Sequence, residues 1–410
     1  MPGYLRFLHS NRRWLVGGFA LFLMSAFGQT FFVSLFAGDI RAEYGLSHGE
    51  FGSLFMFATL ASALALTQIG SVVDRSGSAG VVFGVFVFLA AGAVAMALSA
   101  HVVALFGALF LLRLFGQGMM THTSFTLMGR WFGRERGRAT SVATLGLNTG
   151  EALLPLAVVS LVALVGWRGT WWAAVVLLLV LAWPVAALMR AEREPAPVSE
   201  EGPGLRARDW TRRQTLRDPC FYLVAAAMAA PALVGNTVFF HQVYLVESRG
   251  WVPAAFATAF TVYAVTTVVF NLVGGQMVDR FSAMRLVPVY LLPLGVGLFV
   301  LAAVPGQWGA FAFMALYGVT NGLSLSLFGA VWPEIYGITH LGSIRSVIVA
   351  IMVFASAAGP GTAGLLIDAG VPYPAQLAAL GGYCVVVSAV MARTIPLLRT
   401  RVLSQSVPVD

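Results

Sequence analysis

The sequence predicts an all-α membrane protein of twelve transmembrane helices in two pseudo-symmetric six-helix bundles. Apolar residues make up 59% of the 410 residues and charged ones only 10%, where a soluble domain carries about 25% charged residues. Apolar runs of about 20 residues, enough for a hydrocarbon core of roughly 30 Å, follow one another along the chain. The stretch Gly70-Ser-Val-Val-Asp74-Arg75 returns as Gly275-Gln-Met-Val-Asp279-Arg280, 205 residues later. Each copy closes one apolar run just before the next begins, as expected of two homologous membrane-embedded halves.

The runs are set off by polar or turn-forming residues. The first, 14–38, follows Arg12 and Arg13 and stops at Asp39, and the second, 51–73, lies between Glu50 and Asp74. Runs 79–100 and 102–127 meet at His101, while 138–163 and 170–190 are parted by Gly166, Arg168 and Gly169. In the second half 219–246 and 253–278 flank Arg249 and Gly250, and 285–304 follows the second motif copy. Runs 308–330, 346–368 and 375–396 complete the set. The one long polar stretch is rich in Pro, Gly and charge, which cannot bury a core and reads as a linker. The expected division is a first bundle over 1–190, a linker over 191–218 and a second bundle over 219–410. Within the linker Arg206, Arg208, Arg212, Arg213 and Arg217 suit an amphipathic segment on an anionic leaflet.

The net charge of +8 comes with no lysine. With the amino terminus inside, 21 of the 25 arginines fall in cytoplasmic segments; Arg41, Arg168 and Arg249 face outward and Arg113 lies within a run. This is the positive-inside pattern. It predicts a multi-pass protein of the bacterial cytoplasmic membrane with both termini in the cytoplasm, in contact with lipid and not with nucleic acid. The first apolar run is too long for a signal-peptide h-region. Cys220 and Cys384 have no metal-ligand spacing and read as packing residues.

The repeat extends beyond the motif. Gly28-Gln29-Thr30 with Phe31 and Phe32 is echoed by Gly235-Asn236-Thr237 with Phe239 and Phe240, and Pro155 by Pro360, at offsets of 205 to 208. With these residues the chain resembles the major facilitator superfamily over nearly its full length. The family's loop signature between helices 2 and 3 is matched by Gly70, Asp74, Arg75 and Gly77, with Ser78 and Ala79 in place of its basic pair. Gly275, Asp279 and Arg280 match the degenerate copy, and Arg113 with Gly116 and Gly118 matches an arginine feature of helix 4. Gly146 and Gly150 match part of the exporter signature of helix 5, but Glu151 stands where its proline is expected. The resemblance implies the fold of that family and gating by Asp74, Arg75, Asp279 and Arg280. A looser similarity points to its monocarboxylate-porter-like branch.

Arg113 and Glu151 are the ionisable residues deepest in the membrane. Each lies about a dozen residues into its helix, near the midplane at about 1.5 Å per residue. A charge there costs roughly 2.5–3.5 kcal/mol and must pair, take up a proton or line a wet cavity. One reading is a static ion pair; the other has Glu151 carrying a proton while Arg113 tunes it or holds an anion. At about 100° per residue, Gln117 and Ser124 share the Arg113 face of helix 4, and His122 lies opposite as a packing or gate residue. Thr144, Asn148 and Glu151 share a face of helix 5. In the second half Asn236 and Phe240 on helix 7, Tyr263 on helix 8, and Tyr317 and Asn321 on helix 10 suit a small ligand. Their alternative is interhelical glue. Gln29 joins this candidate substrate set, and His241 is a second candidate proton carrier if a bend near Gly235 brings it round. Asp39, Glu247 and Asp368 read as rim charges.

There is no Gly-x-x-x-x-Gly-Lys phosphate loop, no His-Glu-x-x-His and no Cys/His cluster, so neither an ATP-driven pump nor a membrane enzyme is indicated and no cofactor is called for. Helix 8 carries no basic residue, where carboxylate and nitrate carriers of the resembling superfamily often place one, so the resemblance implies something other than a simple anion carrier. The reading is a proton-coupled transporter of a small organic solute, slightly favouring a carboxylate, acting by alternating access as a monomer. The alternatives are proton-driven export of lipophilic or cationic compounds, which the departure at Glu151 weakens, and a sensor without transport, for which no output domain is present.

Overall fold

The computed structural model describes residues 2–132, 135–192, 209–337 and 340–405. Linker residues 193–208, Arg206 and Arg208 among them, lie outside these. Among the described residues every regular element is helical. The chain divides into two compact units, Met1–Glu200 with Phe239–Val243, and Glu201–Val238 with Tyr244–Asp410.

The first unit holds six helices. α1 starts at Pro2–Ser25, loosens into a tight turn at Ala26–Gly28 and resumes from Thr30 to Tyr44, the two arms meeting at 44°. Next come α2 (His48–Ile69), α3 (Ser78–Leu98) and α4 (Val102–Phe132). The continuous run Arg136–Met189 contains α5 and α6, parted at Gly166 (φ 71°, ψ 172°), a conformation that a residue with a Cβ rarely takes. In the second unit lie α7 (Pro219–Phe240), α8 (Pro253–Phe281), α9 (Leu292–Ala303), α10 (Trp308–Tyr336), α11 (Leu341–Asp368) and α12 (Tyr373–Gln405). Among the described residues twelve helical segments result, one for each apolar run. α9 is a short helix because Pro293 opens it, and residues before it advance through turns.

Two expectations about helix regularity are corrected. α1 is not one continuous run: Gln29 is extended (φ −80°, ψ 154°), and the Phe32 amide bonds to the Gln29 carbonyl at 3.2 Å, leaving the Gly28 carbonyl off the ladder. α4 is not a regular helix: Leu112–Met120 forms a π-helical stretch, whose wider i→i+5 turns shift every later residue in phase. The cause is visible at one crossing. A Cβ on Gly28 would lie 2.1 Å from the Leu112 carbonyl oxygen, and one on Gly116 would lie 2.6 Å from the Gly28 Cα. Backbone meets backbone here, and only glycine allows it.

Helix ends follow ordinary capping rules. Ser47 and Glu50 form a reciprocal capping box at the start of α2, and His101 accepts from the Ala104 amide at the start of α4. Two of the three arginines expected in outward loops are C-terminal caps. Arg168 donates to the Ala97 and Ser99 carbonyls at the end of α3 (2.5 and 2.6 Å) and pairs with Glu43 at 2.5 Å. Arg249 donates to the Leu301, Ala302 and Val304 carbonyls at the end of α9 (3.1, 2.8 and 3.3 Å). Orphan carbonyls and the negative helix end both favour a guanidinium there.

Candidate functional site

The break in α1 and the widened turn of α4 place Arg113 inside the first unit. Its side chain is 1% exposed. Nε donates to Thr59 Oγ1 on α2 at 3.0 Å, and Nη1 donates to the freed Gly28 carbonyl at 3.0 Å and to Thr30 Oγ1 at 3.3 Å. The guanidinium carbon sits 4.9 Å from the centre of the Phe55 ring. Nη2 is buried without a hydrogen-bond acceptor. A delocalised cation can be held this way without a carboxylate, by carbonyl, hydroxyl and ring face.

Glu151 on α5 is also enclosed, at 8% exposure. Its one hydrogen bond comes from Asn148 Nδ2, one turn back on the same helix, at 3.4 Å. Among the described residues it pairs with no cation, so the static Arg113–Glu151 ion pair is absent. Gln29 and Gln117 are half-buried, Gln29 at the hinge of α1 and Gln117 within the π-helical stretch. The regular phase that set His122 opposite Arg113 does not hold across that stretch. The His122 ring reaches the Gly70 carbonyl at 3.2 Å, at the first residue of the loop motif.

Phe240, expected on the Asn236 face of α7, and His241, expected there only if a bend near Gly235 brings it round, belong to the first unit with the rest of Phe239–Val243. The Phe240 ring lies 5.1 Å from Phe51, stacked, and 4.8 Å from Phe55. His241 is buried, its ring 6.3 Å from that of His48. Gln242 Nε2 donates to the Phe31 carbonyl and to Ser34 Oγ, both at 2.8 Å, and Ser34 Oγ donates to the Phe239 carbonyl at 2.6 Å.

In the second unit the expected residues are brought together in part. Asn321 Nδ2 donates to the Tyr263 hydroxyl at 2.8 Å, and Tyr263 stacks on Tyr317 at 5.0 Å. The Tyr317 hydroxyl donates to the Pro231 carbonyl at 3.1 Å. Tyr263 and Tyr317 are buried while Asn321 is half-buried. Asn236 is not part of this group's bonding: its Nδ2 donates to the Ala232 carbonyl at 2.9 Å on its own helix, the local back-bond that asparagine readily makes.

At the loop motif, Asp74 forms an ion pair with Arg130 at the end of α4. Glu192, beyond α6, accepts from the Ser78 amide at 2.7 Å. That amide holds the Glu192 carboxyl below its usual range, and the Arg130 charge acts in the same direction. Arg75 is exposed. The second copy is built differently. Asp279 and Arg280 are exposed, Asp279 has no ion pair among the described residues, and Arg280 lies over the Phe281 ring at 5.2 Å. The counterpart of Arg130 on α10 is acidic: Glu334 accepts from Ser282 Oγ and the Ala283 and Met284 amides at 2.7, 2.9 and 3.1 Å.

A further cluster escaped the sequence reading. Asp218, just before α7, accepts from Arg401 Nη2 at 2.8 Å and from the Tyr336 hydroxyl at 2.9 Å, and Arg401 stacks over Trp210 at 4.9 Å. Burial raises the Asp218 pKa, but Arg401 and Tyr336 outweigh it and the net direction is down. Asp39, Glu247 and Asp368 are exposed, as rim charges are. Among the described residues no group of three or more His, Cys, Asp or Glu side chains is placed to hold a metal.

Comparison with known proteins agrees with this architecture. The chain is 27% identical over 326 residues to human monocarboxylate transporter 11, covering 75% of this chain and 67% of that one. It superposes on a bacterial homologue of the human lysosomal transporter Spinster, in an inward-facing unoccupied conformation, with a TM-score of 0.71 at 16% identity, over 97% of this chain and 98% of that one. The peptide transporter POT gives a TM-score of 0.70 at 14% identity, with 94% of each chain covered. The sequence profile of the Major Facilitator Superfamily matches residues 18–244, more than half of the chain. The chain is therefore a multi-pass membrane transporter that belongs to the Major Facilitator Superfamily.

Proposed function

We infer that this protein couples proton movement to transport of a small organic solute bearing a carboxylate, by alternating access across the bacterial cytoplasmic membrane. The observation that carries it is the enclosed, uncoupled pair of charges in the first unit. Among the described residues Glu151 pairs with no cation, and Arg113 keeps one buried nitrogen without an acceptor. A proton answers the first and a carboxylate the second. The similarity to a protein named for monocarboxylate transport supports the solute class. In this reading both termini are cytoplasmic, residues 191–218 link bundles 1–190 and 219–410, and the protein works as a monomer. Gln29, Gln117, Asn148, Asn236, Tyr263, Tyr317 and Asn321 orient the solute, Phe240 screens the site and His241 assists the proton.

The test is uptake of labelled acetate, pyruvate and benzoate into proteoliposomes under an imposed pH gradient, acid on the side of the solute. Accumulation of at least one that collapses with a protonophore is expected. Dye efflux without carboxylate flux would favour an exporter instead.

Asp74 and Arg75 serve as the gate of the first half in this reading, with Arg130 as the partner. Asp279 and Arg280 play the weaker part, because Glu334 replaces that partner. A half-exposed pair is worth about 0.2–1 kcal/mol, so Asp74→Asn and Arg130→Gln should each change the initial uptake rate by no more than about fivefold. The double variant should match the single ones. A double variant whose effect reaches the product of the two single effects would show that the two residues act independently and remove the latch from the account.

A further inference from the structure

The end of α7 does more than pack. Residues 239–243 are the only part of the chain after the linker that belongs to the first unit. Gln242 and Ser34 hold them by hydrogen bonds of 2.6 to 2.8 Å. The segment ends a stack of side chains. Phe240 lies on Phe51 and Phe55, and Phe55 lies over the Arg113 guanidinium, the group whose Nη2 has no acceptor. Phe51 and Phe55 are both 0% exposed and Phe240 is 2% exposed, so while the segment is seated these rings close over one face of the guanidinium.

We propose that seating of Phe239–Val243 and binding of an anion at Arg113 exclude one another, with Phe55 as the shared element. When the segment leaves, Phe55 loses the ring that backs it and is free to turn off the guanidinium face, which gives a carboxylate room to approach the cation from that side and to take up Nη2 as a donor. When the segment is seated, Phe55 occupies that face. Two events competing for one side chain are coupled reciprocally: whatever loosens the seat tightens the anion, and the anion loosens the seat by the same factor. The device rests on the reading of Arg113 as the carboxylate-holding group, and it adds the control of that group by a segment from the other half of the sequence.

The test is equilibrium binding of labelled benzoate to the purified full chain, with the neutral benzamide as control. Phe240→Ala removes two ring contacts from the seat and Gln242→Ala removes its anchor without touching a ring. Phe240→Ala is expected to lower the Kd for benzoate roughly three- to tenfold, and Gln242→Ala to lower it by less. Benzamide binding should change in neither, and Arg113→Gln should erase the effect in both. Should Phe240→Ala fail to fold, Gln242→Ala alone carries the test. A benzoate Kd that is unchanged or higher in the folded variants, with the wild-type chain binding benzoate, overturns the exclusion and leaves the carboxylate reading standing. If benzoate binding is absent, or survives Arg113→Gln undiminished, both fall together.

Discussion

Glu151→Gln is expected to reduce pH-gradient-driven uptake at least tenfold while leaving exchange of labelled for unlabelled solute across the same membrane within about threefold of wild type. The carboxyl is enclosed at 8% exposure, and its one hydrogen bond is a long one from Asn148. A charged side chain near the bilayer centre costs roughly 2.5–3.5 kcal/mol, and the described residues offer Glu151 no cation to offset it. The proton is the partner left. Glutamine has nearly the shape of the protonated acid, so packing in α5 and the Asn148 contact persist while the ability to release a proton is lost. Exchange needs the site to alternate with solute bound but not to discharge a proton, and it should survive. Gradient-driven uptake that is undiminished in Glu151→Gln would falsify the assignment. Loss of exchange and uptake together, in a folded protein, would mean that Glu151 touches the solute itself.

The membrane segments, the doubled motif and the enclosure of both charges were legible because each depends on local composition or on a fixed offset in the chain. Apolar runs need no tertiary information to be recognised, and twelve of them become twelve segments. What escaped depends on contacts between distant residues. The hinge of α1 and the π-helical stretch of α4 arise where Gly28 meets Gly116, and nothing local to either glycine announces the other. The phase of His122 failed for that reason. The partners of Arg113 are a carbonyl and two threonine hydroxyls, common groups with no diagnostic spacing, whereas a carboxylate at matching depth drew attention to itself. An asparagine within a helix can also fold back on the carbonyl four residues before it, as Asn236 does on Ala232, and nothing in the local sequence announces that choice. The asymmetry between the two motif copies was within reach, since Glu334 lies 204 residues after Arg130 and carries the opposite charge.

Arg113 separates the structural and functional roles of the site, because one side chain carries both. Its Nε and Nη1 hold α1 at the hinge through Thr59, Thr30 and the Gly28 carbonyl, and only Nη2 is left for a solute. Arg113→Met removes every donor at once and strands a buried carbonyl and two hydroxyls. Each such orphan costs about 1–3 kcal/mol, so a loss of about 3 kcal/mol or more of stability is expected, read as a lowered midpoint in thermal unfolding with loss of all transport. Arg113→Gln keeps amide donors for the hinge but gives up the charge. Its thermal midpoint should fall by much less, yet its affinity for a carboxylate should weaken about ten- to a hundredfold, the worth of a charge-assisted hydrogen bond at roughly 1.5–3 kcal/mol. Arg113→Lys keeps the charge but lacks the forked geometry that spans α1 and α2, so it should bind a carboxylate less tightly than the wild type but more tightly than Arg113→Gln, and lie near Arg113→Met in stability. The ordering matters more than any single value. If affinity follows stability through the three variants, Arg113 acts only as a brace for the broken helix, and the unpartnered nitrogen has no part in holding the solute. If Gln is stable but binds poorly while Lys is unstable but binds better, the charge itself holds the carboxylate, and the hinge of α1 is the scaffold that keeps one nitrogen of that cation unspent.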